Sequence, residues 1–269
     1  MRSASEPELA IETQIASLRS VGKPGYEGVF LSFEAGLSAY HERVQKSREI
    51  TDRITALAER TAQRNDTAGE NDAVQAIAEA LFGNRVEARK RAAAALKLSS
   101  NRRVQIAVAA TEALEGDTVR AQALADDLEK RFPDDTLFQN CLLPMTRAQL
   151  ALNHSDPETA INILQRAKPY ELAVEDNLVS AFVRGNSYLA ANSPAEAGAE
   201  FQRVLDHRPV VLSAPWGALA HLGLARAYAT QGDTAKAHAA YQDFFTLWKE
   251  ADPDVPILIQ AKSEYAKLQ

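Results

Sequence analysis

The side chains of this chain that could do chemistry are five histidines, one cysteine and a scatter of carboxylates. The histidines are His41, His154, His207, His221 and His238. No two stand four apart, the spacing that lets one helix face hold a metal. His221 and His238 fall on the two helices of one expected hairpin. Two imidazoles without a carboxylate or thiolate make a weak zinc site. Cys141 lies beside Leu142 and Leu143 inside an expected helix, which predicts a buried, inert thiol. A nucleophile would need a lowered pKa and access, and nothing nearby supplies either. A single cysteine also excludes an internal disulfide framework and most cysteine-based metal sites. No Gly-x-Ser-x-Gly elbow occurs. The carboxylates are spread over helix surfaces, so no acid–base pair can be nominated. The expectation is no catalytic residue, no cofactor, no metal and no enzyme activity.

One basic stretch stands out. Arg85, Arg89, Lys90, Arg91, Lys97, Arg102 and Arg103 crowd a short span. Such a stripe could dock phosphates or an acidic partner. It lacks interleaved aromatics, which makes it a poor nucleic-acid platform and reads better as a solvated face. The net charge of −6 points the same way.

The elements that must carry these side chains are helices. Alanine, the best helix former, is the commonest of the 269 residues; glycine is 12 and proline 11. The hydrophobic share of 46% is enough to fill a core and argues against disorder over most of the length. No apolar run approaches the ~18 residues of a membrane span. The opening MRSASEPELA lacks the apolar core of a signal peptide, so no direct membrane insertion is expected and the default compartment is cytoplasmic.

A repeat organises the helices. RGNSYLAANSPAEAGAEFQRVL from Arg184 and LARAYATQGDTAKAHAAYQDFF from Leu224 share one frame. Each has a small residue, a tyrosine three later, a turn, an alanine, then an aromatic. These are Gly185, Tyr188, Ala197 and Phe201, then Ala225, Tyr228, Ala237 and Tyr241. The frame slides back through Ala148, Ala109, Ala76 and, weakly, Ala35. The residue opening each second helix is Ser47, Ala88, Ala121, Ala160, Ala197 or Ala237. Asn84, Asp117, Asp156, Ser193 and Asp233 precede the second helices as N-caps. Gly83, Gly116 and Gly232 stand where the first helix must stop in a left-handed turn. Three segments follow: residues 1–24 with a short amphipathic capping helix over 7–20, an array over 25–252, and a C-terminal capping segment over 253–269 with a helix near 256–267. In that last helix Ile257, Ile259, Ala261 and Tyr265 should cover the preceding hairpin. Lys262, Glu264 and Lys267 should face water.

The frame resembles tetratricopeptide repeats across roughly residues 25–250. That resemblance implies an all-α, right-handed α-solenoid of about six helical hairpins with N- and C-terminal caps. More narrowly, GKPGYEGVFLSFEA, AQALADDLEKRFPDDTL and the stretch from Gly217 to Gln269 look like the C-terminal repeat region of multidomain bacterial serine/threonine kinases; some winged-helix regulators carry a similar region. No kinase motif is present in these residues: neither a glycine-rich phosphate loop, a His-Arg-Asp loop nor Asp-Phe-Gly. The chain is therefore expected to be an excised or free-standing repeat domain. An excised piece of a membrane-anchored kinase could instead be extracytoplasmic.

In such arrays the first helices line a concave face. The inward residues implied here are Gly36, Ile77, Ala110, Gln149, Asn186 and Arg226, with Asn153 and Thr230 one turn on. The face should be apolar in its N-terminal half and polar in its C-terminal half. Gln149, Asn153, Asn186, Arg226 and Thr230 are the expected partner-binding residues, with Arg226 taking a carboxylate. The leading expectation is a protein or peptide scaffold. The alternative is a ligand-sensing domain with a closed pocket near Trp216, Tyr188 and Arg184. A toroidal hydrolase would need clustered acids at one concave depth. Self-association, as a homodimer, is expected at the degenerate N-terminal repeat. Arg147 and Arg184 replace apolar residues of the repeat and need buried partners: Asp126 or Asp127 for the first, Glu171 or Glu175 for the second.

Overall fold

A computed structural model of the chain describes residue 13 and residues 27–41, 43–58, 62–173, 177–211 and 214–268. Among the described residues there are fourteen α-helices and no strand. Helices α1 (Glu27–Tyr40) and α2 (Val44–Ala58) form a hairpin, followed by α3 (Ala62–Phe82) with α4 (Arg85–Leu98) and α5 (Arg102–Leu114) with α6 (Thr118–Arg131). Next come α7 (Leu143–Asn153) with α8 (Pro157–Gln165), and α9 (Val179–Ala190) with α10 (Pro194–Asp206). A single short turn of helix, α11 (Arg208–Val211), leads to α12 (Pro215–Gln231) and α13 (Thr234–Leu247), and α14 (Pro256–Ala266) ends the chain. The expected N-terminal capping helix and the turn after it lie outside the described residues, Thr13 and the start of α1 apart.

Burial bears out the frame. Ser47, Ala88, Ala121, Ala160, Ala197 and Ala237 are all fully buried. At these crossings a larger side chain would force the helices apart. Ser47 keeps its place by giving its hydroxyl to Ala35 O at 3.0 Å and Gln75 Oε1 at 2.7 Å. Phe201 shows why small residues face the aromatics. A Cβ built on Gly185 or Gly223 would sit 2.7 or 2.5 Å from its ring.

The caps follow the reading only in part. Asp117, Asp156 and Asp233 accept from the amides of Arg120, Thr159 and Lys236 at 3.2, 3.0 and 3.1 Å. Asn84 and Ser193 make no such bond. Asn84 instead gives its amide nitrogen to Glu79 at 2.8 Å. Gly83, Gly116 and Gly232 adopt φ of 87°, 83° and 77°, as the left-handed stop requires. Two hairpins without a glycine there use Ser155 and Asn192, at φ 60° and 54°.

The array does not stay open. Along the chain the first helices touch in the order α1, α3, α5, α7, α9, α12, and α12 returns to α1. The main core carries Tyr40, Val44, Ala78 and Phe82 of the first two hairpins together with residues of α9 to α14. Gly217 makes the seam narrow enough, since a Cβ there would lie 2.7 Å from Val211 and 3.2 Å from Tyr40. Phe82 meets Trp248 edge to face at 5.8 Å, and the backbone N–H of Gln45 donates to Asp252 Oδ2 at 3.0 Å. The helix α14 is found as expected, and Ile257, Ala261 and Tyr265 pack on the core as expected, while Ile259 does not. Leu258 and Ala261 are buried while Ile259 is 54% exposed. Glu264 faces inward, and Lys262 and Lys267 face water.

Candidate functional site

Six first helices around a closed circuit leave space between them. A chamber of about 240 Å³ is walled by Val74, Ile77 and Leu81 of α3, Ile106, Ala107, Ala110 and Leu114 of α5, Met145 and Gln149 of α7, Val179, Phe182 and Val183 of α9, and Trp216 of α12. A second chamber of about 440 Å³ adjoins it, walled by α1, α3 and the start of α12. Glu70, Val74 and Trp216 border both. The second is more polar, with Ser32, Thr51, Thr67, Asn71, Gln75 and Asn177 in its wall.

Of the expected inward residues, Gly36, Ile77, Ala110 and Gln149 line the chambers. Asn186 and Arg226 do not, nor do Asn153 and Thr230. The wall climbs toward the N-terminal ends of the later helices. It reaches Leu114 at the end of α5 but only Val183 in α9 and Trp216 in α12. The polar residues of α9 and α12 lie one or more turns beyond it. The later helices thus give the first chamber an apolar wall, Val179, Phe182, Val183 and Trp216, where a polar half was expected, and the polar side chains line the second chamber on the N-terminal side.

Three of the four displaced residues, Arg226, Thr230 and Asn153, are bonded within the chain. Arg226 Nε and Nη2 donate to Glu264 Oε2 and Oε1 at 2.9 and 3.0 Å. The fork offered to a partner's carboxylate is filled from within the chain. Tyr241 adds a third donor to Glu264 at 3.0 Å. Burial alone would raise the Glu264 carboxyl, but the Arg226 and Tyr241 bonds hold it below the usual range. Burial, with Glu264 beside it, pushes the Tyr241 hydroxyl far up. Thr230 bonds back to Arg226 O at 2.9 Å. Asn153 donates to Ala113 O at 2.7 Å and accepts from Gln149 Nε2 at 3.0 Å. Only Gln149 therefore reaches the interior among the expected binding residues.

The two unusual arginines are structural. Arg184 is fully buried and forks onto Glu200 at 2.7 and 2.6 Å; Glu171 lies 2.7 Å from Nη2. Glu171 was expected; Glu200, in the middle of α10, was missed. Glu175 lies outside the described residues. Arg147 pairs with Asp126 at 2.6 Å and Glu129 at 2.5 Å.

The basic stretch is largely paired within the chain. Arg91 is buried against Asp52, Asp72 and Glu87 at 2.6, 3.0 and 3.0 Å. Arg89 reaches Glu115, Lys90 reaches Glu87 and Arg102 reaches Asp135. Burial raises the Asp72 carboxyl despite its bond from Arg91. Cys141 is buried in a π-helical turn, Phe138–Leu142, that runs into α7. Burial pushes the His221 imidazole down. His238 packs edge-on against Tyr265 at 4.9 Å. Among the described residues no three His, Cys, Asp or Glu side chains gather as a metal site, and no helix is long and apolar enough to cross a membrane.

Sequence reasoning missed Phe182, Met145 and Glu70 as wall residues and placed Trp216 near Tyr188 and Arg184, which are not in the wall. A signal existed. Ile106, Ala107, Ala110 and Leu114 give α5 a second apolar stripe beside its core stripe. No protein-family model matches the chain, and no curated protein sequence matches it.

Proposed function

We propose that this chain is a non-catalytic interaction module, a tetratricopeptide-like array whose interior receives a segment of a partner protein or peptide. The observation that carries this reading is the apolar chamber on which five first helices converge. Exposed apolar surface of this kind costs stability in water and is kept where it binds something. Val74 is 57% exposed on that wall. Of the residues lining the two chambers only Glu70 is a carboxylate, and none is a histidine, which supports binding over hydrolysis. The pairing of the basic stretch supports a partner other than nucleic acid. Any homodimer is proposed at the N-terminal repeat, although the contact of α1 with α12 leaves that end less open.

The test is a displayed-peptide library panned against the chain, with affinities remeasured on Ala110→Phe. Enriched peptides should bind that variant at least tenfold more weakly, with an unchanged circular dichroism spectrum. Peptides that bind both proteins equally would place the binding surface elsewhere and end this reading. Arg226→Ala is a poor probe, because it would release Glu264 and α14.

A second reading has its own support. The chamber opens to solvent at Val74 and holds only about 240 Å³, which suits a small molecule better than a long peptide. On this reading the chain is the ligand-sensing regulatory domain of a bacterial signalling kinase or transcription regulator. A thermal shift with a small ligand, absent in Ala110→Phe, would separate it from the first.

A further inference from the structure

We infer that the apolar chamber is a binding site for a small neutral aromatic molecule about the size of indole. This rests on the ligand-sensing reading.

Size comes first. The chamber holds about 240 Å³. A dry hydrocarbon-lined cavity of ~150 Å³ takes benzene, so a space about half again as large takes a fused bicyclic ring. Shape and chemistry agree. Phe182 and Trp216 bring two aromatic rings to the wall, and Ile106, Ala110 and Met145 are apolar around them. Ring pairs in offset or edge-to-face contact gain energy beyond area burial.

The polar groups of the wall select within that class. Trp216 Nε1 already donates to Asn177 O at 2.9 Å, so the indole is anchored and asks nothing polar of a ligand. That anchor is a strained one: Asn177 and Leu178 both have positive φ, 51° and 59°, and Leu178 is fully buried. A leucine in that conformation persists only where its surroundings enforce it. Gln149 is oriented by its bond to Asn153, which Ala113 O in turn fixes. The Gln149 amide oxygen bonds no described residue and remains an acceptor for one ligand N–H. Glu70 and Arg103 both line the wall, one charge of each sign, which favours a neutral ligand over either ion.

The experiment is fluorine NMR of 5-fluoroindole titrated with the full chain. A shifted or broadened line that unlabelled indole restores is the expected result. Ala110→Phe should weaken binding at least tenfold while leaving Tm unchanged or higher, since it fills a void. The wild type should prefer indole to 1-methylindole, and Gln149→Leu should erase that preference. Stronger displacement by 1-octanol than by indole would overturn the aromatic assignment and leave the sensing reading standing. Tighter binding of N-acetyltryptophanamide than of indole would overturn it in favour of a peptide-borne ring. No binding by any probe would overturn the inference, while the peptide panning on Ala110→Phe decides separately whether the interior binds at all.

Discussion

Arg184 is a guanidinium without exposed surface, and its neighbours explain how the fold tolerates it. Glu200 and Glu171 neutralise it, and Leu164 O takes a further N–H at 3.2 Å. Removing one member of a buried set leaves the others uncompensated. Arg184→Met would strand both Glu171 and Glu200 and should destabilise the chain by about 3–5 kcal/mol. Glu171→Ala leaves Arg184 its fork onto Glu200 and should cost less, and urea unfolding of both variants gives the order. Steric limits set a second expectation. With Phe201 filling the space beside Gly223, Gly223→Ala should cost about 1–3 kcal/mol through overpacking. Calorimetry reads it directly; an unchanged Tm would mean Phe201 moves freely. At this scale the sequence was legible where a residue type had one physical use. The buried alanines and the need of Arg147 for Asp126 were readable. Arg226 was not, because a surface arginine and a clasp arginine look alike until Glu264 is placed beside it.

At the scale of elements, the turns of the hairpins decide how well each first helix stops. Ser155 holds a left-handed φ of 60° in the turn where other hairpins have glycine. The strain of a non-glycine residue there exceeds the chain entropy that glycine loses, so Ser155→Gly should stabilise by about 0.5–1 kcal/mol. A thermal melt checks it, and a lower Tm would show that the serine side chain repays its strain. The last helix is held through Arg226, Glu264 and Tyr241. The Glu264 carboxyl sits below its usual range when folded. Its contribution is then fully present above the ordinary carboxylate pKa of about 4.3 and fades as pH falls through the folded value. Glu264→Gln should lower stability at pH 7 and flatten the loss below about pH 4. A stability profile as steep as that of the wild type would remove the clasp from the account. Element boundaries were legible because caps, prolines and glycines punctuate them. In α14 the choice of Leu258 over Ile259 as the buried residue was not, since the two offer neighbouring apolar faces and the contacts with α3 and α13 decide between them.

For the whole molecule, closure of the circuit is the feature that local pattern could not reveal. The repeat frame specifies how each hairpin meets the next, but small rotations add up over six hairpins before the ends meet. Gln45 and Asp252 mark the seam. Asp252→Ala removes the acceptor of that bond and should lower Tm, which calorimetry reads; an unchanged Tm would show that the seam does not depend on it. The binding surface we propose is accordingly the chamber bounded by Ile77, Ala110 and Trp216, which Asn186 and Arg226 do not line. The most direct test of that interior is hydrogen exchange of the full chain with and without a bound panned peptide. Protection concentrated in α3, α5 and the start of α9 and α12 is the predicted result. Protection confined to the second helices α4, α6 and α8 would contradict it.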